Sequence, residues 1–393
     1  MSPLPFPKVR VSSFGCVSPL GVGRQANREG LRAGRNGISP VRLFPVTGRR
    51  SQTAGQVTEE LGALAHSIAP RSRHWSRGAQ MVLLAMEEAR QGRPDFIPDC
   101  VVMGTTSGGM PLGEDFFRTL AAGQPSHAAT RRLLGYSPQQ PVQQAMRVFH
   151  WDAPVQIVSA ACASGTNALG IACQLIRSGA ARRVLAGGYD ALAEFVFAGF
   201  DSLRASTAEK CRPFDADRTG LVLGEGAAVF CLEAGNEGLA ISGYGSAVDT
   251  HHLTQPHPSG AGPLAAMRQA LASANLEPEA IDYINAHGTG TPFNDASEAR
   301  GILQICPRTP VSSTKGMTGH SLGAAGALEA AFCCEAMEGQ FLPPNLNFTR
   351  TEKEFPLDIV ANTARPARPH RILSNSFGFG GANATLVLEL PES

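Results

Sequence analysis

Short apolar runs alternate with longer apolar stretches along the whole chain. CVVMG (100–104), PVQIVSA (154–160), RRVLAGG (182–188) and DYINAHG (282–288) have the length of buried strands, and each closes on glycine or another small residue. Between them lie segments of helical length: AQMVLLAMEEARQG (79–92), TNALGIACQLIRSG (166–179) and SLGAAGALEAAFCCEAMEG (321–339), each ending at a glycine that suits a helix stop. The second and third are apolar on nearly every face. That predicts helices enclosed between layers rather than amphipathic surface helices. Strand and helix signals in alternation predict an α/β protein.

The pattern also repeats. VRVSSFG (9–15) and LAISGYG (239–245) share one order of apolar, any, apolar, serine, any, aromatic and glycine. Further on, a strand, the apolar helix 166–179 and RVLAGG are echoed by PVSSTKG, the apolar helix 321–339 and RILSNS. Matches that keep their order predict two similar α/β halves, 1–238 and 239–393, meeting at AGNEG (234–238). The predicted architecture is a duplicated fold with stacked sheets and the two apolar helices as its middle layer.

Composition narrows the partners. The chain is 43% hydrophobic and 17% charged with 43 glycines and 28 prolines, which describes a folded, turn-rich protein. A net charge of +1 gives no global field for nucleic acid, and no basic tail or aromatic-basic RNA-binding motif occurs. The nine cysteines form no CxxC and no zinc-type spacing, so reduced thiols and a cytoplasmic location are expected. The opening MSPLPFPKVR has prolines where a signal peptide needs an apolar core, and no run of about 18 apolar residues predicts a membrane span.

Candidate chemistry gathers at strand ends. In IVSAACASGT (157–166) Cys162 falls between a strand and a helix, where a helix N-terminus favours an anion and would lower the thiol pKa. Its neighbours Ala161, Ala163, Ser164 and Gly165 are small enough to admit a substrate carbonyl. A buried core thiol fits the same residues. His287 ends a strand in NAHGTGTPFND (285–295), and His320 precedes the second apolar helix in SSTKGMTGHSLGAAG (312–326). Either histidine alone reads equally as a hydrogen-bonded structural residue. Glu329 interrupts an apolar helix and needs a partner, for which Lys315 is the candidate; a structural ion pair and a catalytic role both fit. NSFGFGGAN (375–383) lacks the nucleotide patterns GxxxxGK[ST] and GxGxxG, and its Phe377 and Phe379, read as exposed, fit a loop of backbone N–H donors with an aromatic gate.

Taken together, VSAACASG, CRPFDADRTGLVLGEGA, NAHGTGTPFND, SSTKGMTGHSLGAAG and NSFGFGGAN resemble the elongating β-ketoacyl-acyl carrier protein synthases of the thiolase superfamily, in order and spacing over nearly the whole chain. The resemblance implies a thiolase fold, layered αβαβα, and a decarboxylative Claisen condensation. By that likeness Cys162 carries the acyl chain, and His287 and His320 serve malonyl decarboxylation and hold the enolate. Lys315 and Glu329 support the histidines, and the N–H groups of Cys162 and Phe379 form the oxyanion hole. Phe377 and Phe379 belong to the gating loop, Thr289 and Thr291 bind the phosphopantetheine arm, and Asp295 joins their network. Ser107, in GTTSGG (104–109), falls at the acyl-pocket floor, where a small polar residue implies a wide or less greasy tunnel. Arg204, Arg71 and Arg73 match docking positions for the acidic acyl carrier protein, although solvated surface arginines fit as well.

The same resemblance implies no metal and no diffusible cofactor, and a homodimer or a heterodimer with a ketosynthase-like chain-length partner. Arginine-rich, divergent segments at 42–77 and 111–150 point to polyene or polyketide synthesis beside ordinary fatty-acid elongation. A thiolase would carry a second cysteine, and a CoA-using initiating synthase an asparagine, in the C-terminal half. A non-catalytic chain-length partner would lose the nucleophile, whereas this chain keeps Cys162, His287 and His320.

Overall fold

The computed structural model describes residues 8–124, 126–235 and 237–391. The segment 1–7, read above for targeting, and Asn236 in the joint 234–238 lie outside the described residues. Ten strands carry the architecture: β1 (Val9–Ser18), β2 (Cys100–Gly104), β3 (Val155–Val158), β4 (Arg183–Asp190), β5 (Gly226–Ala234), β6 (Ala240–Val248), β7 (Tyr283–Asn285), β8 (Val311–Ser312), β9 (Arg371–Phe377) and β10 (Ala382–Glu389). They pair in the order β8-β7-β9-β10-β6-β1-β5-β4-β2-β3, with a short strand, Gly21–Val22, folded back onto β1.

That order is a mirror. The first half reads β1-β5-β4-β2-β3 from the centre outward, and the second reads β6-β10-β9-β7-β8, with the same antiparallel pairs inside and the same parallel pairs outside. The halves meet in antiparallel pairs of Val9 with Ile241 and Arg10 with Ala240. The stacked sheets expected from the repeat are therefore joined by hydrogen bonds along this short seam.

Helices α1 (Arg77–Gly92), α2 (Ser164–Arg177), α3 (Ala261–Ala274), α4 (Pro292–Ile305) and α5 (Ala325–Gly339) fill the other layers. Both α2 and α5 pack on strands of both halves, whereas α1 packs on β1 and β5, and α3, backed by α4, packs on β6 and β10. Side-chain alternation follows from this layering. Val101, Leu185 and Val229 face α1, while Val102, Ala186 and Ala228 face the enclosed helices, so every central strand is apolar on both sides. No helix among the described residues is long and apolar enough to cross a membrane.

The two enclosed helices cross on glycine. A Cβ on Gly165 would lie 2.7 Å from the backbone nitrogen of Ala327, and one on Gly326 would strike Thr166. Each helix is preceded by a left-handed residue, Ala161 at φ 48° and Leu322 at φ 54°, three positions before its first residue. Such a conformation costs a non-glycine residue about 1 kcal/mol or more, and it recurs at matching places before the two enclosed helices. It also corrects the expected helix 321–339: Leu322–Ala324 forms a 3-10 turn, and the α-helix starts at Ala325. At the other end Gln340, not Gly339, takes the left-handed cap.

Gly326→Val is expected to wedge the crossing apart at a cost of about 1–3 kcal/mol. Thermal unfolding followed by circular dichroism should show a lower midpoint, and an unchanged midpoint would contradict this packing.

Candidate active site

Cys162 sits on the turn between β3 and α2. Ser164 holds the turn: its Oγ donates to the carbonyl of Ala161 (2.5 Å) and accepts the N–H of Ala160 (2.9 Å). From the other half, His287 lies just beyond the end of β7, and its N–H and that of Gly288 both donate to the Glu298 carboxylate on α4 at 2.8 Å. His320 is pinned through its backbone, donating to Val222 (2.7 Å) and accepting from Gly224 (2.8 Å). Lys315 Nζ donates to the carbonyl of His287 (2.6 Å), lies 3.4 Å from His287 Nδ1 and pairs with Glu329 Oε1 on α5.

The Cys162 sulfur and one ring nitrogen of each histidine lie within 4.8 Å of one another. The imidazoles stand edge to face, with centroids 5.2 Å apart and planes at 84°. All five side chains are buried, yet Cys162, His287 and His320 line a cavity of about 270 Å³. Thr289 and Thr291 line its wall, their hydroxyls 2.8 Å apart. Phe379 lies in its lining too, with its ring stacked on Phe200 at 5.6 Å. Arg204, exposed and at φ 54°, is at the mouth.

The chain matches the family model "Beta-ketoacyl synthase, N-terminal domain" over residues 7–237 and "Beta-ketoacyl synthase, C-terminal domain" over 239–349. The chain belongs to the beta-ketoacyl synthase family. This ketosynthase is 33% identical to a 3-oxoacyl-[acyl-carrier-protein] synthase 2 of Synechocystis sp., covering 97% of the chain and 98% of that relative. Among solved structures it is similar to the ishigamide ketosynthase/chain length factor, at 32% identity and a TM-score of 0.88, covering 98% of this chain and 100% of that one. It is likewise similar to the ketosynthase (ApeO) in complex with its chain length factor (ApeC) from Xenorhabdus doucetiae, at 30% identity and a TM-score of 0.86 over 100% of both chains.

Burial governs the electrostatics of the ketosynthase site. Desolvation, then the Lys315 charge, holds both imidazoles well below the usual histidine range, and His320 adds to the effect on His287. Both rings are therefore neutral near neutral pH. With Lys315 beside Nδ1, the Nε2 of His287 is left as its donor. The Cys162 thiol departs from expectation. A helix start was expected to lower its pKa, but desolvation pushes it up to about 11 despite Lys315 and the backbone N–H groups of Phe379 and Cys162 that face the sulfur. Burial removes more anion stabilisation than the helix end and the cation return. Glu329 is raised to about 7 by burial, opposed by Lys315.

Some expected residues sit elsewhere. Phe377 is buried, with its ring 5.9 Å from that of His287, so only Phe379 of the pair is partly exposed. Asp295 lies beneath the threonine loop, accepting the N–H groups of Phe214 (2.7 Å), Thr289 (3.0 Å) and Gly290 (3.1 Å). Arg71 and Arg73 are exposed on the 3-10 turn Pro70–His74 and do not line the cavity. Ser107 does not line it either, because its hydroxyl donates to Asp190 at 2.6 Å. Glu298, Asn375 and Asp190 escaped the sequence reading. Asn375 Nδ2 donates to Glu298 at 3.1 Å, which makes both part of the backing of His287. A carboxylate among small residues in DASEARG is the same signal that exposed Glu329.

Alkylation of Cys162 by iodoacetamide should keep accelerating with pH through 9 and level off only near 11, the value to which burial raises the thiol. Lys315→Met removes a cation that stabilises the thiolate and should move the profile further up. A plateau near neutral pH would contradict both.

Proposed function

We propose that this ketosynthase condenses an acyl thioester held on Cys162 with malonyl-ACP by decarboxylative Claisen chemistry. The supporting observation is a sulfur that lies within 4.8 Å of a ring nitrogen of each of two neutral imidazoles and is also met by the backbone N–H groups of Cys162 and Phe379. In the first half-reaction the sulfur attacks the acyl carbonyl, and the N–H groups of Cys162 and Phe379 bind the oxyanion. The acyl–sulfur bond to the carrier breaks, and the thiol proton leaves with the carrier's own sulfur. Malonyl-ACP then loses CO2, and hydrogen bonds from His287 and His320 hold the enolate oxygen. The carbanion attacks the acyl-Cys162 carbonyl, the thiolate departs, and the product is a β-ketoacyl-ACP two carbons longer.

A neutral imidazole donates a hydrogen bond to the enolate without giving up its proton, so the low histidine pKa suits this step. Lys315 and Glu329 keep that pair in place, and Asp295 shapes the loop on which Thr289 and Thr291 receive the phosphopantetheine arm. No diffusible cofactor enters the sequence. Arg204 at the cavity mouth, with Arg71 and Arg73 outside it, would meet the acidic carrier protein. The halves 1–238 and 239–393 act as one catalytic unit, and a cytoplasmic reaction suits the free thiols.

A dimer is part of the reading. An open, apolar cavity of about 840 Å³ lies against Met110–Ala121, with Phe117, Leu134 and Phe195 each more than 60% exposed. Exposed apolar area on this scale is expected to be covered by another subunit. Similarity to structures of ketosynthases with chain length factors favours a heterodimer in polyene or polyketide synthesis, with this chain as the catalytic subunit. A homodimer in fatty-acid elongation is the second reading, favoured by the curated relative.

Intact-mass analysis with a panel of acyl-ACPs should show an acyl adduct that malonyl-ACP removes and that Cys162→Ala never acquires. Condensation that persists in Cys162→Ala would overturn the mechanism. For the dimer, Leu134→Asp should shift the protein toward the monomer mass in multi-angle light scattering, while an unaltered mass would exclude this face as the interface.

A further inference from the structure

Asp190, the last residue of β4, is fully buried and forms no ion pair among the described residues. Its carboxylate instead accepts a dense set of hydrogen bonds. Thr105 Oγ1, Thr106 Oγ1 and Ser107 Oγ each donate at 2.6 Å, and the N–H groups of Thr106 and Ser107 at 3.0 and 2.9 Å. The remaining donor comes from the other half of the molecule: the N–H of Gly323, at 2.7 Å. Thr106 Oγ1 doubles that link by accepting the same N–H at 2.8 Å.

The clamp joins two places that matter. The turn 105–107 follows β2, its Thr105 N–H donates to Val158 at the end of β3, and β3 leads directly to Cys162. A Cβ on Gly104 would strike the Ser164 backbone, so the turn abuts the start of the helix behind the nucleophile. On the other side Gly323 follows the left-handed Leu322 and lies three residues after His320. No side chain fits at Gly323, where a Cβ would lie 2.6 Å from the Thr106 nitrogen and 2.8 Å from Asp190 Oδ2. The backbone of His320 is fixed by Val222 and Gly224 on one flank, and the Asp190 clamp fixes the other.

The geometry points to Asp190 as a positioning residue that locks His320 against Cys162 across the boundary between the halves, a role that rests on the condensing function proposed above. It acts on the second half-reaction more than the first, because acyl loading needs the sulfur and the two N–H groups, whereas decarboxylation and enolate capture need His320. Asp190 is also the carboxylate whose charge opposes thiolate formation at Cys162; the other charged or titratable groups that face the sulfur are Lys315 and the two neutral histidines.

The test uses the full-length protein, an acyl-ACP that it loads, and malonyl-ACP. For Asp190→Asn and Thr106→Val, acyl loading should stay within about threefold of the parent, while kcat for condensation falls about tenfold or more at unchanged KM for malonyl-ACP, as displacement of one catalytic group requires. Thr106→Ser, which keeps the hydroxyl, should restore turnover. Iodoacetamide alkylation of Asp190→Asn should shift to lower pH, since a negative charge near the thiol is gone. Loading and condensation lost in equal measure, or both unchanged, would overturn the proposal. If Asp190→Asn does not fold, Thr106→Val, which loses a single hydroxyl, decides it. Should the parent protein itself neither load nor condense, the condensing function falls, and an unchanged thermal unfolding midpoint in both Asp190→Asn and Thr106→Val would then overturn the clamp separately.

Discussion

Two enclosed helices crossing on Gly165 and Gly326 set the geometry on which everything else depends. Small residues at the crossing let the backbones approach closely, and that closeness keeps the middle layer thin. A thin layer brings the turn before α2 beside the turn before α5, so Cys162 of one half meets His320 of the other. His287 arrives from the equivalent end of β7 because the second half repeats the strand order of the first. The repeated strand order thus supplies related frames, and their matching turns carry different side chains, Cys162 on one and His320 on the other.

A second constraint follows from burial. Five polar side chains in one dry layer would be costly if each carried charge. Of the five, only Lys315 and Glu329 pair as ions, and desolvation keeps the thiol and both imidazoles neutral. Lys315 serves the site twice, because the ammonium that binds the His287 carbonyl also discourages protonation of both rings. Glu298 and Asn375 extend the support outward to β9 and α4.

Much of this was legible in the chain. Apolarity on all sides of 166–179 and 321–339 forecast the enclosed helices, and the paired motifs VRVSSFG and LAISGYG became β1 and β6, the strands at the seam. Strand ends running into small residues drew attention to Cys162, His287 and His320, and the structure brings those three side chains within 4.8 Å of one another. What was hidden depended on tertiary closeness. The thiol pKa could not be read from a helix start, because desolvation by burial in the folded protein decides its direction. Leu322 gives no local sign of a left-handed backbone, and the start of α5 therefore came four residues later than the pattern indicated. Asp190 ends an ordinary strand and acquires meaning only when residues 105–107 and Gly323 surround it.

The raised Cys162 thiol has a consequence for the protein at rest. With its pKa near 11, only on the order of one sulfur in ten thousand is a thiolate at neutral pH, and it is the thiolate that peroxide and stray electrophiles attack. Burial and the raised pKa together make this thiol less open to oxidation than an exposed cysteine. A carbonyl brought against the two N–H groups beside the sulfur would meet a neutral thiol, so the site leans on those donors rather than on a standing thiolate.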